Sequence, residues 1–142
     1  MKRIISILIL FIIVACNQTE NDIIERINSL EKDFDSFVKF AIIDQTLIKN
    51  IGKLVDVNKL DLKTQKSLNS LGLKNVRYIV LSDACCNEIN EIEIIFNGNC
   101  HLEYNPCGNS NIKPGEYLQE GFIESWGLNV RWILWRNNDF IG

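Results

Sequence analysis

The stretch Ile89-Asn90-Glu91-Ile92-Glu93-Ile94-Ile95-Phe96-Asn97-Gly98-Asn99-Cys100-His101-Leu102-Glu103-Tyr104 decides how the chain folds. Ile92, Ile94 and Phe96 fall on one alternation, and Cys100, Leu102 and Tyr104 fall on another. A period of two marks strands with one buried face. Asn97-Gly98 invites a two-residue turn, which would set Phe96 opposite Asn99 and Ile94 opposite His101. A three-residue loop, Asn97-Gly98-Asn99, instead sets Phe96 on Cys100, Ile94 on Leu102 and Ile92 on Tyr104. One residue of slip turns every side chain to the other face, so the apolar match favours three. Asn99 can adopt the left-handed conformation that such a loop needs.

Strands continue on both sides of this hairpin. Val76 to Ser82 is nearly all apolar or aromatic, the pattern of a central strand, and Tyr117 to Trp126 and Val130 to Arg136 make a final pair. Helices come earlier. From Asp22, with Glu25 three residues on as in a capping box, Ile23, Ile27, Leu30, Phe34, Phe37, Ala41, Ile48 and Ile51 recur at helical spacing. Asp44 occupies the one missed position. The pattern predicts one long amphipathic helix or two in series, to about Asn50. Ile24, Val38, Ile42 and Ile43 widen the stripe, which favours packing on a sheet over a coiled coil. A shorter helix is expected near Asp61 to Leu71, ended by Gly72, with Leu73 folding back on Leu68. The expectation is a single α+β domain over 22–142, with N-terminal helices on one face of an antiparallel meander of about five strands. That layout resembles cystatin-like or nuclear-transport-factor-2-like folds, and a fold does not imply a function.

The chain has 142 residues, 46% hydrophobic and 23% charged, with a net charge of −3. One domain of this length buries a core. The mild, unclustered acidity argues against nucleic acid as a partner. A single histidine, His101, removes most hydrolase and metalloenzyme templates. His101 has no evident catalytic partner, because GxSxG and HExxH motifs are lacking and Cys100 points to the other side of its strand.

Met1-Lys2-Arg3 is a short cationic opening, and Ile4 to Val14 is an apolar run broken only by Ser6. As a helix that run spans about 16 Å, short of the roughly 30 Å hydrocarbon core. It fits the h-region of a secretory signal. Ile13-Val14-Ala15-Cys16 resembles the lipobox of bacterial lipoproteins. The resemblance implies a signal peptide over 1–15, a diacylglycerol on Cys16 and a lipidated tether over 16–21. Asn17 in place of an aspartate after the cysteine favours the outer membrane of a Gram-negative cell over inner-membrane retention. Removing the signal also removes Lys2 and Arg3, which leaves 13 basic and 18 acidic residues, or −5.

The remaining cysteines are Cys85, Cys86, Cys100 and Cys107. An even set in an exported chain points to disulfides. In the three-residue register, Cys107 lies near the end occupied by Cys85 and Cys86. Cys100 lies about ten residues away, some 33 Å along the strand. Disulfide geometry therefore predicts Cys107 bonded to Cys85 or Cys86, with Cys100 in the core. The same register stands Glu93 opposite Glu103, with Glu91 and His101 near, on an outer face read as solvated. No metal site and no cofactor are expected. Trp132 and Trp135 differ by three positions, so a strand sends them to opposite faces. Trp126, Trp132 and Trp135 are together the candidate binding surface. The leading expectation is a non-catalytic, lipid-anchored envelope protein that contacts the membrane through its anchor and binds a protein or a glycan. A toxin-immunity protein and an enzyme of unknown type are the alternatives.

Overall fold

The computed structural model describes residues 20–86, 89–97, 99–108 and 111–139, without the side chains of 84–86 and 89. The expected signal peptide over 1–15, Cys16 and the thiols of Cys85 and Cys86 lie outside the described residues. Helix α1 covers 20–29, followed by α2 (Glu31–Ala41), α3 (Gln45–Ile48) and α4 (Leu62–Ser70). The strands are β1 (Val55–Asp56), β2 (Val76–Cys86), β3 (Ile89–Phe96), β4 (Cys100–Tyr104), β5 (Tyr117–Glu120), β6 (Ile123–Gly127) and β7 (Trp132–Asn137). Among the described residues no helix is long and apolar enough to cross a membrane.

The long helical pattern, expected as one helix or two, resolves into three in series, α1, α2 and the short α3. Ser29 Oγ donates to the carbonyls of Glu25 and Arg26 at 2.9 and 3.3 Å, and Leu30 leaves helical geometry at φ −120°. Hydroxyl bonding of this kind competes with the backbone ladder and bends helices. Helix α1 already includes Glu20 and Asn21, which the sequence reading assigned to the tether, and the Glu20 carboxylate pairs with Arg136. The domain therefore begins no later than Glu20. A partly buried ion pair with the sheet holds that first turn in place.

Asp44, the missed position in the apolar stripe, is 1% exposed. Its carboxylate accepts from the N–H groups of Thr46 and Leu47, capping α3, and from the N–H of Asp61 at 2.8 Å. Asp61 reciprocates by accepting from the N–H of Gln45 at 3.0 Å. One buried acid thus supplies the partners for two chain segments whose N–H groups have no helical acceptor. Helix α4 ends as expected. Gly72 has φ +63°, and Leu73 packs partly against the core.

All seven strands form one antiparallel sheet in the order β1-β2-β3-β4-β7-β6-β5. This corrects the five-strand meander in three ways. β1 is a two-residue edge too short to leave a pattern. The segment read as one strand from Tyr117 to Trp126 is a hairpin that turns at Gly121 (φ +60°) and Phe122. Glycine at the first of two turn residues supplies the positive φ that hairpin twist demands. Finally, β4 pairs with β7 rather than with the next strand, because residues 105–116 carry the chain to the far edge before it returns.

The register of the deciding hairpin is the expected one. Ile92 pairs with Tyr104, Glu93 with Glu103 and Ile94 with Leu102, and Asn99 sits at φ 60°. Ile79, Leu81, Ile92, Ile94, Leu102 and Leu134 are fully buried on the inner face, against Ile27, Phe34, Phe37 and Leu68 from the helices. Cys100 lies in this core, as expected. The helices pack on one face, and no helix among the described residues covers the opposite one.

Replacing Asp44 with alanine should cost about 2–4 kcal/mol in urea unfolding, since one buried and two partly buried N–H groups lose their acceptor. Asp44→Asn, which keeps one carbonyl oxygen, should lose clearly less. Equal losses in the two variants would show that the caps do not matter.

Candidate functional site

The outer face takes its chemistry from alternate residues of β3, β4 and β7. Glu91 and Glu93 project from β3, His101 and Glu103 from β4, and Ile133 and Trp135 from β7, by the pairings Glu93↔Glu103, His101↔Trp135 and Glu103↔Ile133. His101 Nδ1 meets Glu93 Oε1 at 2.8 Å. The imidazole lies flat on the Trp135 indole, with centroids 3.8 Å apart and planes 6° from parallel. Trp135 and His101 thus form one stacked aromatic pair, the platform of this face, held at one edge by a carboxylate.

The carboxyl of Glu103 is raised above the ordinary glutamate value. Burial is the largest cause, followed by the charges of Glu91 and Glu93. A hydrogen bond from the Trp135 side chain and the proximity of His101 oppose the shift. Trp135 thus stacks on the histidine and also opposes the rise in the Glu103 carboxyl.

The far end of this face is walled. Gly127 stands opposite Ile133. A Cβ on Gly127 would come within 2.1 Å of the Lys113 carbonyl and 3.3 Å of Ile112 Cγ1. The 105–116 crossover therefore passes against the outer face at that point, where Ile112 and Ile133 are both buried. Only glycine admits the approach, which two backbone bonds fasten: Gly127 N–H to Glu116 O at 2.9 Å, and Gly115 N–H to Gly127 O at 2.7 Å. The platform lies between this wall and the opposite end of the sheet.

Trp135 alone of the three tryptophans belongs to this face. Trp132 is 3% exposed, edge-on to Phe34 at 5.3 Å and tilted on Tyr104 at 5.0 Å. It is a core residue and leaves the candidate binding surface. Trp126 lies on the inner side of β6, packed against the core, 5.4 Å from Tyr117 and beneath the Arg136 guanidinium at 5.9 Å. The three-residue spacing correctly separated Trp132 from Trp135. It could not say which faced outward, because that depends on the partner of β7. The opposed glutamates and outward histidine were legible. Their junction with Trp135 was not.

Among the described residues, no group of three His, Cys, Asp or Glu side chains has the geometry to hold a metal ion. A cleft of about 210 Å³ opens on the helical side, between Phe34, Asp35, Tyr104, Arg131 and Trp132. It is smaller than the roughly 300–1,000 Å³ of usual small-molecule sites, and it lies away from the platform. Comparison with protein-family models, curated proteins and solved structures gives no match for the chain.

A raised acid has a defined effect on stability. The folded state holds the Glu103 proton more tightly than the unfolded chain, so the ionised form weakens folding as pH rises through the folded value. That penalty is absent below the model-peptide value of 4.5. Glu103→Gln keeps an acceptor for Trp135. It should raise the urea midpoint at about pH 7 and leave it unchanged at about pH 4. A gain of the same size at both would refute the electrostatic cause.

Proposed function

We propose that the protein is a lipid-anchored lipoprotein of the bacterial envelope, with a non-catalytic binding domain that engages its partner through the open sheet face. The observation that carries the binding reading is the Trp135–His101 stack, flanked by Glu93 and Glu103, on the face the helices leave uncovered. A rigid aromatic plane at the centre of a polar rim is the composition of an interface hot spot. The three carboxylates of Glu91, Glu93 and Glu103 make a basic protein surface the best complement, with a glycan stacked on Trp135 as the competing ligand. Support for the anchor comes from the resemblance of Ile13-Val14-Ala15-Cys16 to a lipobox, with an outer-membrane address favoured by Asn17.

The same acidic face favours one second reading. A toxin-immunity protein would present such carboxylates to a basic toxin, and a toxin gene beside this one would support it. For catalysis the platform offers an imidazole bound to a carboxylate, but Ser125, the hydroxyl in the same cross-strand row, is separated from His101 by Trp135, so binding remains the stronger reading.

Export also supports a disulfide. Cys86 pairs with Ile89 at the turn between β2 and β3, and β4 ends at Tyr104, opposite Ile92 on the same strand. Cys107 follows within three residues of that strand end, so a bond to Cys85 or Cys86 would tie the two ends together. Intact mass of the alkylated chain, with and without reductant, should differ by one pair of thiols. No difference would exclude the bond.

Cys16→Ala should move the protein from the membrane fraction to the soluble fraction, and the wild-type chain should carry the acyl mass on Cys16. Retention of the variant in membranes would overturn the anchor. For the face, Trp135→Ala and the double change Glu93→Gln with Glu103→Gln should abolish capture of the envelope partner. Tyr117→Ala, on the other side of the sheet, should not. Equal capture by all variants would move the binding site elsewhere.

A further inference from the structure

One end of the sheet gathers every feature that bears on how the domain meets a bilayer. Glu20 pairs with Arg136, whose guanidinium also holds Glu124 at 2.6 and 3.2 Å. Glu124 is the second residue of β6. It accepts from Tyr117 Oη at 2.8 Å and from Asn138 Nδ2 at 2.6 Å. These bonds, with Arg136 foremost, hold its carboxyl down to about 2. Asn138 N–H closes on the carbonyl of Phe122 at 2.7 Å, and Asn137 N–H closes on that of Asn99 at 3.1 Å. The Phe122 turn, the 97–99 turn and the first turn of α1 therefore share one end of the molecule. Cys107 and the crossover occupy the other.

Cys16 is four residues before Glu20, so their Cα atoms are at most about 14 Å apart whatever path the chain takes. The Phe122 turn at this end is conspicuously apolar. Phe122 is 61% exposed, Ile123 44% and Leu118 40%, and Tyr117, at the base of the hairpin opposite Trp126, is half-exposed with its hydroxyl hydrogen-bonded. It is a hairpin tip with an aromatic at its apex and an amphipathic tyrosine at the hairpin's base, a composition suited to the headgroup boundary.

We propose that the β5–β6 hairpin is a second membrane contact, in which Phe122 and Ile123 enter the headgroup–acyl boundary of the bilayer that carries the Cys16 anchor. The inference rests on the lipid-anchor reading above. A chain confined within so short a reach of the bilayer meets it at high effective concentration, so a small apolar tip suffices where it would fail alone. The charges nearby select the lipid. Glu20 and Glu124 are tied to Arg136, Glu116 and Glu120 remain exposed, and among the described residues no basic cluster flanks the tip. Zwitterionic headgroups fit this surface, and strongly anionic ones do not. Held at two points, the domain would stand with the long axes of β4 and β7 across the membrane plane and the Trp135–His101 platform facing sideways, open to a partner in the same layer.

The test uses the acylated full-length chain in vesicles of phosphatidylethanolamine and phosphatidylcholine, with Phe122→Trp and, independently, Ile123→Trp. Circular dichroism and flotation verify folding and anchoring, and mass verifies the acyl group. Acyl chains brominated near the headgroup should quench the added tryptophan roughly twofold relative to the parent, because an inserted tip sits about 5–10 Å into the boundary. Raising the phosphatidylglycerol content should weaken that quenching. An acylated, floating chain with unquenched tryptophan in both variants overturns the hairpin contact and leaves the anchor standing. A chain that neither floats nor carries the acyl mass overturns the anchor and, with it, the contact.

Discussion

The pairing of β3 with β4 is the constraint on which the rest of the molecule depends. Each strand alternates apolar and polar residues, so one residue of slip would put Glu91, Glu93 and Glu103 into the core and Ile92, Ile94 and Leu102 into water. Asn99 at φ 60° accommodates the three-residue connection that prevents this. Asparagine tolerates the left-handed region better than any side chain but glycine, so a small local cost secures a large burial. Every other strand takes its facing from this pair: β2 on one side through Ile79 and Ile94, and β7 on the other through Leu102 and Leu134.

Features written into local periodicity were legible, and features that depend on distant chain were not. The hairpin register, the helical stripe and the glycine stop at Gly72 each follow from residues within a few positions of one another. The order β4-β7-β6-β5 does not, because nothing between Asn105 and Glu116 says that this segment will cross to the far edge. Gly127 carried the missing signal. Its bare Cα admits the Lys113 carbonyl and fixes the path of the crossover, yet in sequence it reads as an ordinary strand end. The Gly121 turn was overlooked for a related reason. Apolar and aromatic residues on both sides of it read as one continuous strand, although a positive-φ glycine divides them.

The same division governs the candidate site. Glu93, Glu103 and His101 were brought together by a register legible in sixteen residues. Trp135 joins them only because β7 lies beside β4, a pairing between segments about thirty residues apart. Asp44 shows the converse case. A polar residue in an apolar stripe looks like an interruption, and it is instead the residue that closes two helix starts from within the core. In both places the informative residue broke the local pattern. Its meaning lay in the segment packed against it.

The outer face also breaks a rule that the inner face obeys. Directly opposed glutamates weaken a strand pair by up to about 1 kcal/mol, and threonine or lysine would serve a solvated sheet better. Here the Glu93 carboxylate is bound to His101, while Glu103 is partly buried with its proton affinity raised. Local conflict that the fold tolerates is more often retained for recognition than for stability. The hairpin tip is a second such conflict, since an exposed phenylalanine at a turn contributes nothing to the core. The two lie in different directions from the Arg136 cluster, the platform on the sheet face and the tip at its end. A domain so arranged can use one conflict to hold its orientation and the other to meet its partner, and neither demand interferes with the register that both depend on.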